Sequence, residues 1–265
     1  MKKLSIGIFA ILATASVACS STPKPAAGTG DAGGTGGGLV LMPDPNGFMN
    51  GTVAGVLGAW YSYGDSYKNG GPGDCQAAGF TADQCSTATS PAFGAPFTNT
   101  GGKMCLTGTA AVVMNAAYSA IWGVGLGFDF NNAGTGDAGI VDGSSGNKLP
   151  WNATAQGVTG FKFDISGVPV GGNMRVEFPF MGQYMNDAPY WDGQANNLSP
   201  FTTDGTYSFK WADVNGPGYL TSPTPPTFDP TMIISAQFHV VANTKGPIAI
   251  SDPPLCVSNV TLTTD

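Results

Sequence analysis

WGVGLGFDF (residues 122–130) decides the fold. Trp122, Val124, Leu126, Phe128 and Phe130 fall on one side of a period-two pattern, and Gly123, Gly125, Gly127 and Asp129 on the other. A strand sends successive side chains to opposite faces, so this pattern predicts one apolar face and one open face. The same alternation recurs on both sides of it. Phe161, Phe163 and Ile165 alternate with Lys162 and Asp164; Met174, Val176, Phe178 and Phe180 alternate with Arg175, Glu177 and Pro179. Ile234, Ala236, Phe238 and Val240 alternate with Ser235, Gln237, His239 and Val241. Strands are expected near 52–63, 103–115, 121–130, 158–166, 173–180, 206–211, 231–242 and 255–262, bounded by Gly, Pro, Asn and Asp. Eight such strands with long connections predict an all-β protein of two packed antiparallel sheets. Residues 181–205 and 212–230 read as long loops.

Composition agrees. Only 10% of the 265 residues are charged, and Glu177, Arg175 and His239 are the only Glu, Arg and His, so helical surfaces have little to be made from. The net charge is −7, and it falls to −9 once Lys2 and Lys3 leave with a leader, which excludes the basic footprint of a nucleic-acid binder.

Residues 1–18 have the form of a secretory signal: Lys2 and Lys3, an apolar run Leu4–Leu12 too short to span a membrane, then small residues. Cys19 with Ser20 and Ser21 behind it resembles a bacterial lipobox, in which the Cys is lipidated; Ser16 stands where Leu is more typical. Ser20 rather than Asp after the Cys fits, by that resemblance, sorting to the outer membrane of a Gram-negative cell. Residues 19–50 are expected to form a flexible Gly/Ser/Thr/Pro linker, with the folded domain over 51–265. The protein would then be secreted and touch the membrane only through its lipid anchor.

Setting Cys19 aside leaves four cysteines and three pairings. Cys75 and Cys85 flank a short loop, and Cys105 and Cys256 each lie in a strand-like run, which favours Cys75–Cys85 and Cys105–Cys256. No CxxC or His spacing points to a thiolate metal site.

Taken together, WYSYGD (60–65), WGVGLGFDF (122–130), GVTGFKFDISG (157–167), NMRVEFPF (173–180), FKWADVNGPGY (209–219), TFDPTMIISAQFHV (227–240) and LCVSNVTL (255–262) resemble, in order, the strands of the galactose-binding-domain-like jelly roll. That family includes carbohydrate-binding modules attached to bacterial cellulases. The resemblance implies a jelly-roll β-sandwich, a polysaccharide or glycan as partner, no catalytic cofactor, and room for a structural calcium ion with its ligands unassigned. Asp65, Asp129, Asp187 and Asp192 are the carboxylates considered for such an ion. Ser258 stands where the family usually has an acidic residue.

Arg175 and Glu177 share a strand face, and Gln237 and His239 should share the outward face of another strand. Planar hydrogen-bonding groups suit sugar hydroxyls; against this, an exposed Arg–Glu pair alone contributes only about 0–1 kcal/mol. Tyr61, Tyr63, Tyr184, Tyr190 and Trp191 fall outside core phase and are candidate stacking platforms. The Gly123, Gly125, Gly127 row either leaves room for a sugar ring or marks tight packing. No pair of carboxylates stands out for glycoside hydrolysis, and no nucleophile elbow accompanies His239. The expected function is a non-catalytic polysaccharide-binding surface lipoprotein. An adhesive envelope protein without sugar affinity and a polysaccharide-degrading enzyme are the alternatives.

Overall fold

Alternating apolar rows can be buried only by closing two sheets face to face, and the computed structural model does this. It describes residues 38–68, 71–132, 148–180, 191–195, 201–215 and 227–264, with backbone only at 68, 71–72, 191–195 and 215. In chain order the strands are β1 Leu39–Val40, β2 Phe48–Asn50, β3 Leu57–Gly64, β4 Tyr67–Lys68, β5 Gly71–Pro72, β6 Thr87–Ser90, β7 Lys103–Ala110 and β8 Gly123–Asp129. They continue as β9 Gly160–Ser166, β10 Asn173–Phe180, β11 Trp191–Ala195, β12 Gly205–Lys210, β13 Val214–Asn215, β14 Ser235–Val241 and β15 Ile248–Thr263. A single turn of α-helix, α1 at Asp74–Ala77, lies between β5 and β6.

One sheet has the order β12-β9-β15-β7-β6, with β1 also on β15; the other runs β13-β11-β10-β14-β8-β3-β2. The chain steps from one sheet to the other between β7 and β8, β8 and β9, β9 and β10, and β14 and β15, so sequence neighbours face each other across a jelly-roll β-sandwich. Phe161 and Phe163 come from one sheet, Phe128, Phe178 and Phe238 from the other, and all are fully buried. Phe161 meets Phe178 edge-on at 5.2 Å and Phe163 meets Phe238 at 4.8 Å, spacings that fill the layer between the sheets. Each such ring contributes roughly 1.5–3 kcal/mol by leaving water.

Both disulfides pair as the spacing favoured. Cys105 and Cys256 stand opposite each other in the β7–β15 ladder, and Cys75–Cys85 closes a ten-residue loop around α1.

The structure departs from the sequence reading in five places. The sandwich begins before residue 51, because Leu41 and Met49 are buried in the main core and β1 and β2 pair with β15 and β3. The linker boundary at 50 is therefore too late. Within the expected loop 181–205, β11 pairs with β10, and within 212–230, β13 pairs with β11. The edge strand β6, TATS, has no apolar alternation to announce it and is held by pairing with β7. The closing strand starts at Ile248, not 255; Asp252-Pro253-Pro254 interrupts its pattern, and a register shift between Ile250 and Leu255 absorbs the prolines. Trp122 does not join the apolar row, because Gly123 after it takes a positive φ.

Candidate ligand-binding groove

Strand pairing lines up two rows across β10, β14, β8 and β3 on the face turned away from the core. In one, Arg175 pairs with His239, His239 with Gly125, and Gly125 with Tyr63. In the next, Glu177 pairs with Gln237, Gln237 with Gly127, and Gly127 with Tyr61. Adjacent strands lie about 4.8 Å apart, so residues distant in sequence become neighbours on one surface. Arg175, Glu177, Gln237, His239 and Tyr63 of these rows floor a groove of about 650 Å³ walled by Tyr118, Ser119, Trp122 and Ala242.

The glycines explain how so many long side chains fit. A Cβ at Gly125 would lie 2.6 Å from the Tyr63 hydroxyl, and one at Gly123 would lie 2.8 Å from His239 Nε2. At Gly127 a Cβ would come within 3.2 Å of the Gln237 side chain. The room on β8 is thus taken by the Val240, Phe238 and Ala236 carbonyls, 2.2, 2.4 and 2.5 Å from such Cβ positions, and by Tyr63, His239 and Gln237 leaning in from the flanking strands. Of the two roles open to this row, tight packing is the one found; a sugar ring does not have the glycine surface to itself.

The wall comes from the connection between β7 and β8. Ala111, Val113, Ala120 and Ile121 pack with Cys75, Cys85 and Ala242 in a second, smaller core. At its end Gly123 takes φ +131°, a conformation L side chains rarely adopt. That break in the strand turns Trp122 out of the core row and onto the opposite face. There it stacks on Tyr63 at 6.0 Å and meets His239 edge-on at 5.4 Å. Its indole N–H donates to Asp74 of α1, its backbone N–H donates to Asp65, and its carbonyl accepts from His239 Nε2 at 3.0 Å. Asp65 is fully buried and accepts four hydrogen bonds, two from Ser86 and one each from the Trp122 and Gly123 amides. Burial pushes its carboxyl above the ordinary range, and those donors offset part of the rise.

Glu177 and His239 are buried beneath the groove surface, with side-chain exposures of 5% and 7%, whereas that of Arg175 is 30%. The expected wet face is therefore half closed, because the β7–β8 connection covers it. Glu177 Oε1 lies 3.3 Å from His239 Nδ1 and 3.8 Å from Arg175 Nη1. Burial alone would raise the Glu177 carboxyl, but the charges of His239 and Arg175 outweigh it and hold it below the ordinary range. A carboxylate held this way is poorly suited to give up a proton as a general acid. Both His239 nitrogens face oxygen atoms, Glu177 Oε1 and the Trp122 carbonyl, and the carbonyl contact places a proton on Nε2.

Of the residues singled out from sequence, Arg175, Glu177, Gln237, His239 and Tyr63 converge on the groove. Tyr61 does not line it. Its ring is buried under the Lys148 ammonium, 4.5 Å from the centroid, and its hydroxyl accepts a hydrogen bond from Gln237 at 3.1 Å. It orients Gln237 instead of offering a platform. Tyr184, Tyr190, Asp187 and Cys19 lie outside the described residues, and the backbone places Trp191 and Asp192 in β11 opposite Phe180 and Pro179. Trp122, Tyr118 and Ser119 were not anticipated as site residues; an aromatic directly before the first glycine of the row was the one available signal.

The two described carboxylates considered for calcium do not suit that ion. Asp65 is filled with N–H and O–H donors; Asp129 is paired with Lys148 at 2.9 Å and accepts from Asn132. Asp65 also clusters with Cys75 and Cys85, but their sulfurs are joined to each other and are not thiolate ligands. Among the described residues no helix is long and apolar enough to cross a membrane.

No family model matches the chain, and no curated protein matches it. Among solved structures it is similar to a family 11 carbohydrate-binding module from Clostridium thermocellum in complex with a β-1,3-1,4-mixed-linked tetrasaccharide, at 15% identity and a TM-score of 0.40, covering 86% of this chain and 97% of that one. A family 11 module of a cellulosomal cellulase of Clostridium thermocellum gives 16% identity and a TM-score of 0.39, covering 88% and 97%. An exo-β-agarase gives 13% and 0.32, with only 25% of that chain covered.

Proposed function

We propose that the groove is a non-catalytic carbohydrate-binding site. The observation that carries this reading is the convergence of aromatic faces with planar hydrogen-bonding groups in one open-sided groove. Tyr118 is 55% exposed at its rim, and Trp122 is half-buried beside it. Sugars present apolar C–H faces and a ring of hydroxyls. The former stack on aromatic rings, and the latter exchange hydrogen bonds with groups such as Arg175, Gln237 and Ser119. Gln237 donates one N–H to Tyr61, which fixes the amide plane and leaves a second N–H and the carbonyl oxygen for a ligand. The sequence adds a setting: Cys19 as a lipid attachment point would place this groove at a bacterial envelope surface, in reach of polysaccharide outside the cell.

Affinity electrophoresis of the full-length chain through gels containing neutral and acidic polysaccharides tests the reading. Wild type should be retarded by at least one polymer, and Tyr118→Ala should lose most of that retardation. Free migration of wild type in every gel would contradict it.

A further inference from the structure

The charges around the groove are not equally available. Glu177 and His239 are nearly inaccessible at its floor, and among the described lining residues Arg175 is the ionised side chain that solvent reaches most. Its one partner among the described residues is Glu177, at 3.8 Å, which is an ion pair beyond hydrogen-bond distance. Most of the guanidinium's five N–H donors therefore point to no protein acceptor among those residues. Glu177 takes His239 at shorter range, 3.3 Å. Arg175 thus brings a guanidinium cation to the groove surface. This lies in a protein whose overall charge is −7.

We propose that the groove selects a glycan carrying a carboxylate, a uronate flanked by neutral sugars, with Arg175 as the residue that determines the specificity. This rests on the carbohydrate-binding reading given above. A guanidinium presents two parallel N–H bonds that match a carboxylate, and such charge-assisted bonds are about twice as strong as neutral ones. A neutral sugar would leave those donors to water. The aromatic rim of Tyr118 and Trp122 takes the ring faces, so Arg175 adds selection to affinity that stacking supplies. The acidic surface elsewhere disfavours a dense polyanion, which is why spaced carboxylates fit better than a continuous run of them.

The test uses the full-length chain and three polysaccharides of different backbone, each carrying sparse uronates. Each is paired with the same polymer after its carboxyl groups are reduced to primary alcohols. Wild type should bind the acidic member of a pair at least about tenfold more tightly than the reduced member, a difference of about 1.4 kcal/mol. The preference should shrink as salt is raised. Arg175→Gln should bind both members equally, at the reduced polymer's affinity, and Arg175→Lys should recover only part of the preference. Equal binding of both members by wild type would overturn this inference and leave the carbohydrate-binding reading standing. Binding to no polymer in either form would overturn both.

Discussion

The two faces of the β10, β14, β8 and β3 sheet are both buried, and they are buried by different means. On the inner face Val176, Phe178, Leu126, Phe128, Phe238 and Val240 are sealed against the opposite sheet by shape alone. On the outer face Glu177, His239 and Tyr61 are nearly as inaccessible, yet each sits there because a partner answers its polar atoms. Burial of the first kind is lost methyl by methyl. Burial of the second kind is conditional, because removing one member strands the others. The outer face is also where spare donors remain, on Arg175 and Gln237, and spare donors in a groove are what a ligand can use.

The sharpest way to break this contrast is on the inner face. Phe238→Ala should cost about 3–5 kcal/mol in denaturant unfolding, with the slope unchanged and the midpoint lowered. A loss under about 1 kcal/mol would mean the inner face is not the close-packed layer described. On the outer face, Glu177→Gln should cost about 1.5–3 kcal/mol, since the buried charge that answers Arg175 and His239 is lost and an amide N–H is put in its place. It also carries a pH signature. Glu177 titrates lower in the folded chain than its ordinary 4.5, so its contribution is complete above that pH and fades as pH falls through the folded value. Wild type should lose this stability on acidification below about 4.5, and Glu177→Gln should lack that component; parallel acid profiles would contradict the pairing.

Gly125→Ala should cost about 1–3 kcal/mol and also weaken ligand binding, because the new methyl would meet Tyr63 and the Phe238 carbonyl. Unchanged stability and binding would show that the glycine row is not filled from the flanking strands. The smallest effect on folding should come from Tyr118→Ala, within about 0.5 kcal/mol, at an exposed position. Its effect should instead be a several-fold loss of glycan affinity by calorimetric titration, and intact affinity would remove Tyr118 from the groove's function.

What could be read in the sequence follows the same division. Parity along a strand is a local property, so Phe161, Phe163, Phe178 and Phe238 were placed inward, and Arg175, Glu177, Gln237 and His239 on a shared type of face. That these four meet depends on register between β10 and β14, which their shared parity is consistent with but does not set. Trp122 was misplaced because parity is blind to a positive φ, and Gly123 breaks the strand at the point where Trp122 should have turned inward. Tyr61 and Tyr63 have identical parity, and partners from distant segments distinguish them, Lys148 over Tyr61 and Trp122 against Tyr63. The early start of the sandwich was missed because the glycine tract outweighed the short apolar run at Leu39–Met42, and Leu41 is buried from that run.

Reception of the ligand by the polar outer face, and not by the rest of the surface, can be followed through the backbone amide and side-chain N–H resonances of the full-length chain while a retained glycan is titrated in. Shifts should concentrate at Tyr118, Ser119, the Trp122 indole, the Arg175 guanidinium and the Gln237 amide. The outer surface of the β12-β9-β15-β7-β6 sheet should be silent. Saturable shifts confined to that opposite sheet, with the Gln237 and Trp122 signals unmoved, would contradict the account.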